Sequence, residues 1–231
     1  MLTLETLRIT MGDFTLAANW SIAAGTRLAI IGPSGAGKST LLMAIAGFVP
    51  LAAGRITWAG QDIVALAPGD RPLSILFQDQ NLFPHLTVTQ NLGLGLTPRL
   101  ALTPGQQDQI ATVLARVGLT GMGARKPASL SGGQQGRVAL ARALLRAKPM
   151  LLLDEPFAAL GPALKAEMLD LVADVATSAG ATVLLVTHDP ADAKRFADQT
   201  LLVANGTAHP PVPTATLFEN PPDALSEYLG S

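Results

Sequence analysis

Between the apolar run Arg27–Ile31 and the apolar stretch Leu41-Leu42-Met43-Ala44-Ile45 stands Gly32-Pro33-Ser34-Gly35-Ala36-Gly37-Lys38-Ser39. No other segment constrains the chain as much. A run this rich in glycine cannot continue a strand, and the Lys-Ser pair leads into an apolar helical stretch. The spacing G-x-x-x-x-G-K-S therefore predicts strand, tight loop and helix in that order. Glycines at 32, 35 and 37 let backbone N–H groups converge on a polyphosphate, where a Cβ would block the approach. The helix that follows aims its positive dipole end at the same anion. Lys38 supplies a point charge to the outer phosphates, and the Ser39 hydroxyl can ligate Mg²⁺. The competing explanation is a glycine-rich turn without a ligand; the strand before the loop and the helix after it disfavour that. The loop specifies a nucleoside triphosphate but not a reaction.

Elsewhere strand-like and helix-like stretches alternate, as in an α/β fold with a largely parallel sheet. Leu2–Thr10 and Phe14–Ile22 read as strands joined near Gly12-Asp13, followed by Arg27–Ile31, Ile56–Trp58 and Leu73–Phe77. After Met150–Leu153, Pro162 opens a helix with an apolar face of Leu164, Met168, Leu171, Val172 and Val175, and Gly180 ends it. Thr182–Thr187 is the next strand, and Leu201–Ala204 enters an Asn205-Gly206 hairpin turn. Residues 79–148 differ, being rich in Leu, Gln and turn residues, and are expected to form a helical subdomain inserted into an α/β core of residues 1–78 and 149–231. The tail after Pro210 reads as short and proline-rich.

Composition narrows the function classes. Apolar residues make up 48% of the chain but aromatics only 4%, so Ala, Leu, Val and Ile carry the core. No apolar run reaches the roughly 18–20 residues that cross a bilayer, and Met1-Leu2-Thr3-Leu4-Glu5 shows no secretory signal. With no cysteine, disulfides and thiolate metal sites are excluded. The net charge of −1, with scattered Lys and Arg, offers no footprint for nucleic acid. The histidines are His85, His188 and His209, with no pair at i, i+4 spacing, so a structural metal is not expected.

Met150-Leu151-Leu152-Leu153-Asp154-Glu155 sets two acids after four apolar residues. A buried strand ending in Asp places that carboxylate at the carboxyl edge of the sheet, where ligands bind in such folds. Asp154 can hold Mg²⁺, and Glu155 can polarise a water for in-line attack on the γ-phosphorus. Alone, such a pair could equally begin a turn; the upstream phosphate loop gives it a role.

Leu130-Ser131-Gly132-Gly133-Gln134 is the most specific motif. Ser131 suits an N-cap, the glycines expose backbone N–H groups, and a helix from Gln134 to about Ala147 would turn its dipole toward phosphate. Here the chain resembles the ABC (ATP-binding cassette) ATPase family over nearly its whole length. The resemblance implies a P-loop NTPase core with a mostly parallel sheet, an antiparallel β subdomain and an inserted helical subdomain. It implies ATP bound by Gly32, Pro33, Ser34, Gly35, Ala36, Gly37, Lys38, Ser39 and Thr40. The metal site is then Ser39, Gln78 and Asp154, with Glu155, His188 and Gln78 catalytic. It also implies a head-to-tail pair of copies, in which Ser131, Gly132, Gly133 and Gln134 of one copy close on ATP held by the other.

Three positions depart from the family pattern. The aromatic that stacks on adenine has Met11 in its place, with Phe14 the nearest aromatic and the preferred candidate. Ala159-Leu160-Gly161 lacks the usual terminal Asp, which points to looser coupling between paired sites. Gln135-Gly136-Arg137 replaces Arg-Gln-Arg, and a glycine inside a helix costs about 0.5–1 kcal/mol relative to Ala. The stretch Leu76–Val88, followed by Gln90-Asn91-Leu92-Gly93-Leu94-Gly95-Leu96, resembles the thiamine importer ATPases, which implies transport of thiamine or thiamine pyrophosphate. Iron(III), molybdate, sulfate and polyamine importers have similar ATPases and remain alternatives. The resemblance further implies membrane permease subunits, an indirect substrate-binding protein and a peripheral place on the cytoplasmic face of the inner membrane. No C-terminal regulatory domain is expected. A DNA-repair type of ABC ATPase would need a long coiled coil between the loop and Ser131, and no sustained heptads occur there.

Overall fold

A computed structural model describes residues 1–79 and 81–229. The chain opens with β1 (Leu2–Met11) and β2 (Phe14–Ile22), an antiparallel pair turned at Gly12-Asp13. Next come β3 (Arg27–Ile31), the phosphate loop, α1 (Lys38–Ala46), β4 (Ala53–Trp58), the short β5 (Gln61–Asp62) and β6 (Leu73–Leu76). Then come α2 (Val88–Gly93), α3 (Pro104–Arg116), a 3-10 turn at Pro127–Ser129 and α4 (Gly132–Leu145). The remainder is β7 (Met150–Asp154), α5 (Pro162–Ala179), β8 (Thr182–Val186), α6 (Pro190–Phe196) and β9 (Gln199–Ala204). It ends in β10 (Thr207–Ala208), β11 (Val212–Pro213), α7 (Thr214–Glu219) and α8 (Asp223–Leu229).

The strands run β5-β4-β1-β2-β10-β9-β3-β8-β7-β6, with β11 paired to β9. Pairing is antiparallel from β5 through β2, and parallel through β9, β3, β8, β7 and β6. The parallel strands are apolar at their central positions except for Ser74 in β6 and Thr200 in β9, because helices cover both faces. Alternation along each strand assigns the faces. Leu28, Ile30, Leu152, Leu184 and Leu201 meet Leu41, Leu42 and Ile45 of α1. On the other face Leu151, Leu153, Val183 and Leu185 meet Leu140 of α4, Met168, Leu169 and Val172 of α5, and Phe196 of α6. A separate apolar cluster of Val88, Leu92, Ile110, Leu114, Val117 and Val138 joins α2, α3 and α4.

Several details differ from the sequence expectation. The α4 helix covers Gly132–Leu145 rather than starting at Gln134, because the Ser131 cap brings both glycines into its first turn. In α5 the buried face also includes Leu169 and Ala176, while Leu164 and Leu171 are only partly covered. The tail after Pro210 is more ordered than its prolines suggest. It forms α7 and α8, which lay Leu217 and Leu225 against Ala29, Ile31 and Leu202. Among the described residues no helix is long and apolar enough to cross a membrane.

Arg71 carries no motif, yet it holds the phosphate-loop helix in place. The last carbonyls of a helix lack intrahelical partners, and in α1 those of Ala44 and Ile45 accept from Arg71 Nη1 at 2.9 and 2.7 Å. Arg71 Nη2 also donates to the Val64 carbonyl at 3.0 Å, and the residue is 4% exposed. Replacing Arg71 with Met leaves the Ile45 and Val64 carbonyls without this donor, while Ala44 keeps the Gly47 N–H, at an expected cost of about 3 kcal/mol. A urea midpoint shifted down at unchanged slope checks this; a midpoint equal to wild type refutes the role.

Candidate functional site

Parallel pairing brings the carboxyl ends of β3, β8, β7 and β6 to one edge of the sheet. Each functional segment of the core leaves from that edge: the phosphate loop after β3, Gln78 after β6, Asp154-Glu155 at the end of β7, and His188 after β8. Register sets the spacing, with Asp154 opposite Val186 and Ile30 also opposite Val186.

The loop is shaped from below. Gly32 has φ +145°, and a Cβ there would lie 2.1 Å from the Val203 carbonyl oxygen. Gly37 has φ +104°, and its Cβ would meet Phe14 Cζ at 2.5 Å. Two glycines are thus required by the protein's own packing, in addition to any ligand. The Lys38 ammonium donates to the carbonyls of Gly32 and Pro33 at 2.8 and 2.9 Å, which folds the loop around it. Burial lowers its pKa, and the carboxylates of Glu155 and Asp154 oppose that shift. Pro33, Ser34 and Gly35 form the exposed rim, with Ala36 and Thr40 half-buried beneath.

Ser39 Oγ donates to Asp154 Oδ1 at 2.8 Å, tying α1 to β7. Burial raises the Asp154 pKa, and the Ser39 hydrogen bond partly offsets the rise. A hydroxyl and a carboxylate in contact beside a phosphate loop form the hard oxygen set that Mg²⁺ takes together with phosphate oxygens. Glu155 sits at φ +45°, a backbone region costly for a non-glycine residue. Its N–H donates to the Val186 carbonyl at 3.2 Å, and its Oε2 lies 2.9 Å from His188 Nδ1. The His188 side chain is nevertheless 59% exposed, so its ring can reach a ligand.

The His188 turn is braced by groups that no motif indicated. Lys165 of α5 bridges Asp189 at 3.0 Å and Asp192 at 2.6 Å. Thr187 Oγ1 donates to Asp192 Oδ2 at 2.5 Å and accepts from the Asp189 N–H at 3.1 Å. Burial pushes the Asp189 carboxyl up, but hydrogen bonds from Lys165 and the Ala191 N–H outweigh it and hold the pKa below the usual range.

Other expected residues stand apart from this cluster. Gln78 is exposed at the same edge, outside the Ser39–Asp154 and Glu155–His188 pairs. Met11 is 52% exposed, whereas the Phe14 ring is half-buried against Gly37. Ser131 and Gln134 form a reciprocal cap: Gln134 N–H donates to Ser131 Oγ, and Ser131 N–H to Gln134 Oε1 at 3.0 Å. Gly133 packs against Leu164. Among the described residues no hydrogen bond or ion pair joins Ser131–Gln134 to the phosphate loop of the same chain.

The family profile described as ABC transporter matches residues 16–158, which hold the phosphate loop, the Ser131 cap and the Asp154-Glu155 pair. The chain belongs to the ABC transporter family. Among its relatives, the thiamine import ATP-binding protein ThiQ of Cereibacter sphaeroides is 65% identical over 230 residues, covering 100% of each chain. The protein of the same name from Ruegeria sp. is 58% identical, again over 100% of both. Among solved structures, a dimeric post-hydrolysis state of the ATP-binding cassette MJ0796 bound to ADP and Pi superimposes with a TM-score of 0.78. Identity to it is 28%, and the match covers 93% of this chain and 99% of that one. This ABC cassette thus has the ATP-binding fold of its family.

Gly37→Ala should weaken ATP binding by about tenfold or more, since a Cβ there meets the Phe14 ring and strains the backbone. Calorimetric titration checks this, and wild-type affinity would mean that the loop tolerates the added methyl.

Proposed function

We propose that this chain is the ATP-hydrolysing subunit of a thiamine importer, with thiamine or thiamine pyrophosphate as cargo. The observation that carries hydrolysis is the meeting of Ser39–Asp154 and Glu155–His188 beside the Lys38 loop. The cargo assignment rests on full-length similarity to proteins named for thiamine import. The loop N–H groups from Gly32 to Thr40 and the Lys38 ammonium bind the triphosphate. Ser39, Asp154 and Gln78 would hold Mg²⁺, which supplies charge neutralisation across the β- and γ-phosphates. Glu155 takes the proton of the attacking water as the bond to the γ-phosphorus forms and the bond to the ADP oxygen breaks. His188, held by Glu155, donates toward the γ-phosphate. Phe14, at the base of the loop, is the preferred adenine contact.

The site of one copy lacks its cap. The Ser131 cap with Gly132, Gly133 and Gln134 belongs to residues 79–148, which act as a helical subdomain set into the α/β core of 1–78 and 149–231. A second copy, arranged head to tail, brings its cap to the triphosphate. ATP then favours the closed pair in proportion to its preference for that state, and hydrolysis releases it. Permease subunits receive the motion at the groove beside Gln78, where Phe48 and Phe83 remain 54% and 43% exposed. The cassette works peripherally on the cytoplasmic face of the inner membrane, and a substrate-binding protein delivers the cargo on the other side.

Glu155→Gln should retain ATP binding and lower turnover by on the order of 10²-fold, because proton acceptance is lost; near-normal phosphate release removes Glu155 from that role. Lys38→Ala should instead weaken nucleotide affinity itself. In reconstituted vesicles carrying the full transporter, ATP should drive uptake of labelled thiamine, and Glu155→Gln should abolish it. Uptake of iron(III), molybdate, sulfate or a polyamine in place of thiamine would overturn the cargo assignment.

A further inference from the structure

The chain has one tyrosine, Tyr228, and it stands on α8, in the tail whose sequence indicated no role. Leu225 fastens this helix: it is 0% exposed within the cluster of Ala29, Ile31, Ala193 and Leu202, and Tyr228 packs partly buried on the same cluster. From there the phenol donates to the main-chain carbonyl oxygen of His188. The neighbours of His188 have their own supports. Thr187 is bonded to Asp192, and Asp189 to Lys165. Tyr228 acts on the His188 peptide itself, whose ring lies 2.9 Å from Glu155.

We propose that Tyr228 is a positioning residue, holding the His188 peptide so that the imidazole stays aligned with Glu155 and the γ-phosphate. The inference rests on the hydrolytic roles given above to Glu155 and His188. The geometry has a direct consequence for rate. An imidazole carried on an exposed turn must be held to a fraction of an ångström, since a displacement of about 1 Å at a catalytic group can cost on the order of 10²-fold. Burial raises the phenol pKa, and the negative charges of Asp189 and Glu155 add to the rise. The hydroxyl therefore stays protonated and keeps donating. The C-terminal helix thereby becomes part of the hydrolytic apparatus, although it lies far along the chain from every motif.

Tyr228→Phe keeps the ring in its apolar seat and removes only the donor. In the full transporter, kcat for ATP hydrolysis should fall about tenfold, with the KM for ATP and the thermal midpoint unchanged. His188→Ala should lower kcat further, and adding Tyr228→Phe to it should have no additional effect, because the phenol acts through the imidazole. If His188→Ala lowers turnover while Tyr228→Phe turns over normally, the inference fails and the site stands. An equal loss from Tyr228→Phe with and without His188 would make Tyr228 a general structural contact and overturn the inference in the same way. Normal turnover by His188→Ala would overturn the role of His188 and, with it, that of Tyr228.

Discussion

Parallel register between β7 and β8 is the constraint on which the site depends. With Asp154 paired to Val186, the two strands end together, and the residues just beyond them are delivered to the same small volume. The Glu155 N–H caps the Val186 carbonyl, and its carboxylate then meets His188. A slip of β8 by one residue would turn Val183 and Leu185 away from Met168, Leu169 and Val172 of α5, so packing against that helix favours the pairing. The apolar core and the Glu155–His188 pair are thus consequences of the same register.

Strain enters where that register ends. Glu155 adopts a positive φ, a conformation that persists only when its surroundings over-determine it. Here β7 is buried on both sides, the Val186 carbonyl binds the residue's N–H, and His188 binds its side chain. Gly37 shows the complementary arrangement, with the backbone bent as only glycine allows and the Phe14 ring occupying the space where a side chain would have been. Arg71 fixes the far end of α1, so both ends of the phosphate-loop helix are held by residues distant in sequence.

The relation between cap and loop underlies the proposal that two copies act together. The Ser131 cap is complete within its own chain, satisfied by Gln134 and packed on α5 through Gly133 and Leu164. Among the described residues it makes no hydrogen bond or ion pair to the phosphate loop of that chain. The missing carboxylate at Gly161 falls at the N-cap of the same α5, where no side-chain cap bond forms. Ser131, Gly132 and Gly161 are exposed, and the ADP-bound relative of the same fold is dimeric.

Local chemistry was legible in the sequence wherever it depends on residues adjacent along the chain. The glycine-rich loop, the Ser131 N-cap, the apolar run into Asp154-Glu155 and the Asn205-Gly206 turn each have a short-range physical cause. So does the α/β alternation. What only the tertiary structure decided are contacts between residues far apart. These include Arg71 on the α1 carbonyls, Lys165 on the His188 turn, Phe14 beneath Gly37, and the ordered tail that carries Tyr228 to the His188 carbonyl. None has a periodicity or spacing of its own, because a side chain reaching a group distant in sequence leaves no local pattern. The partners of such a side chain exist only after the sheet has set which strand ends are neighbours.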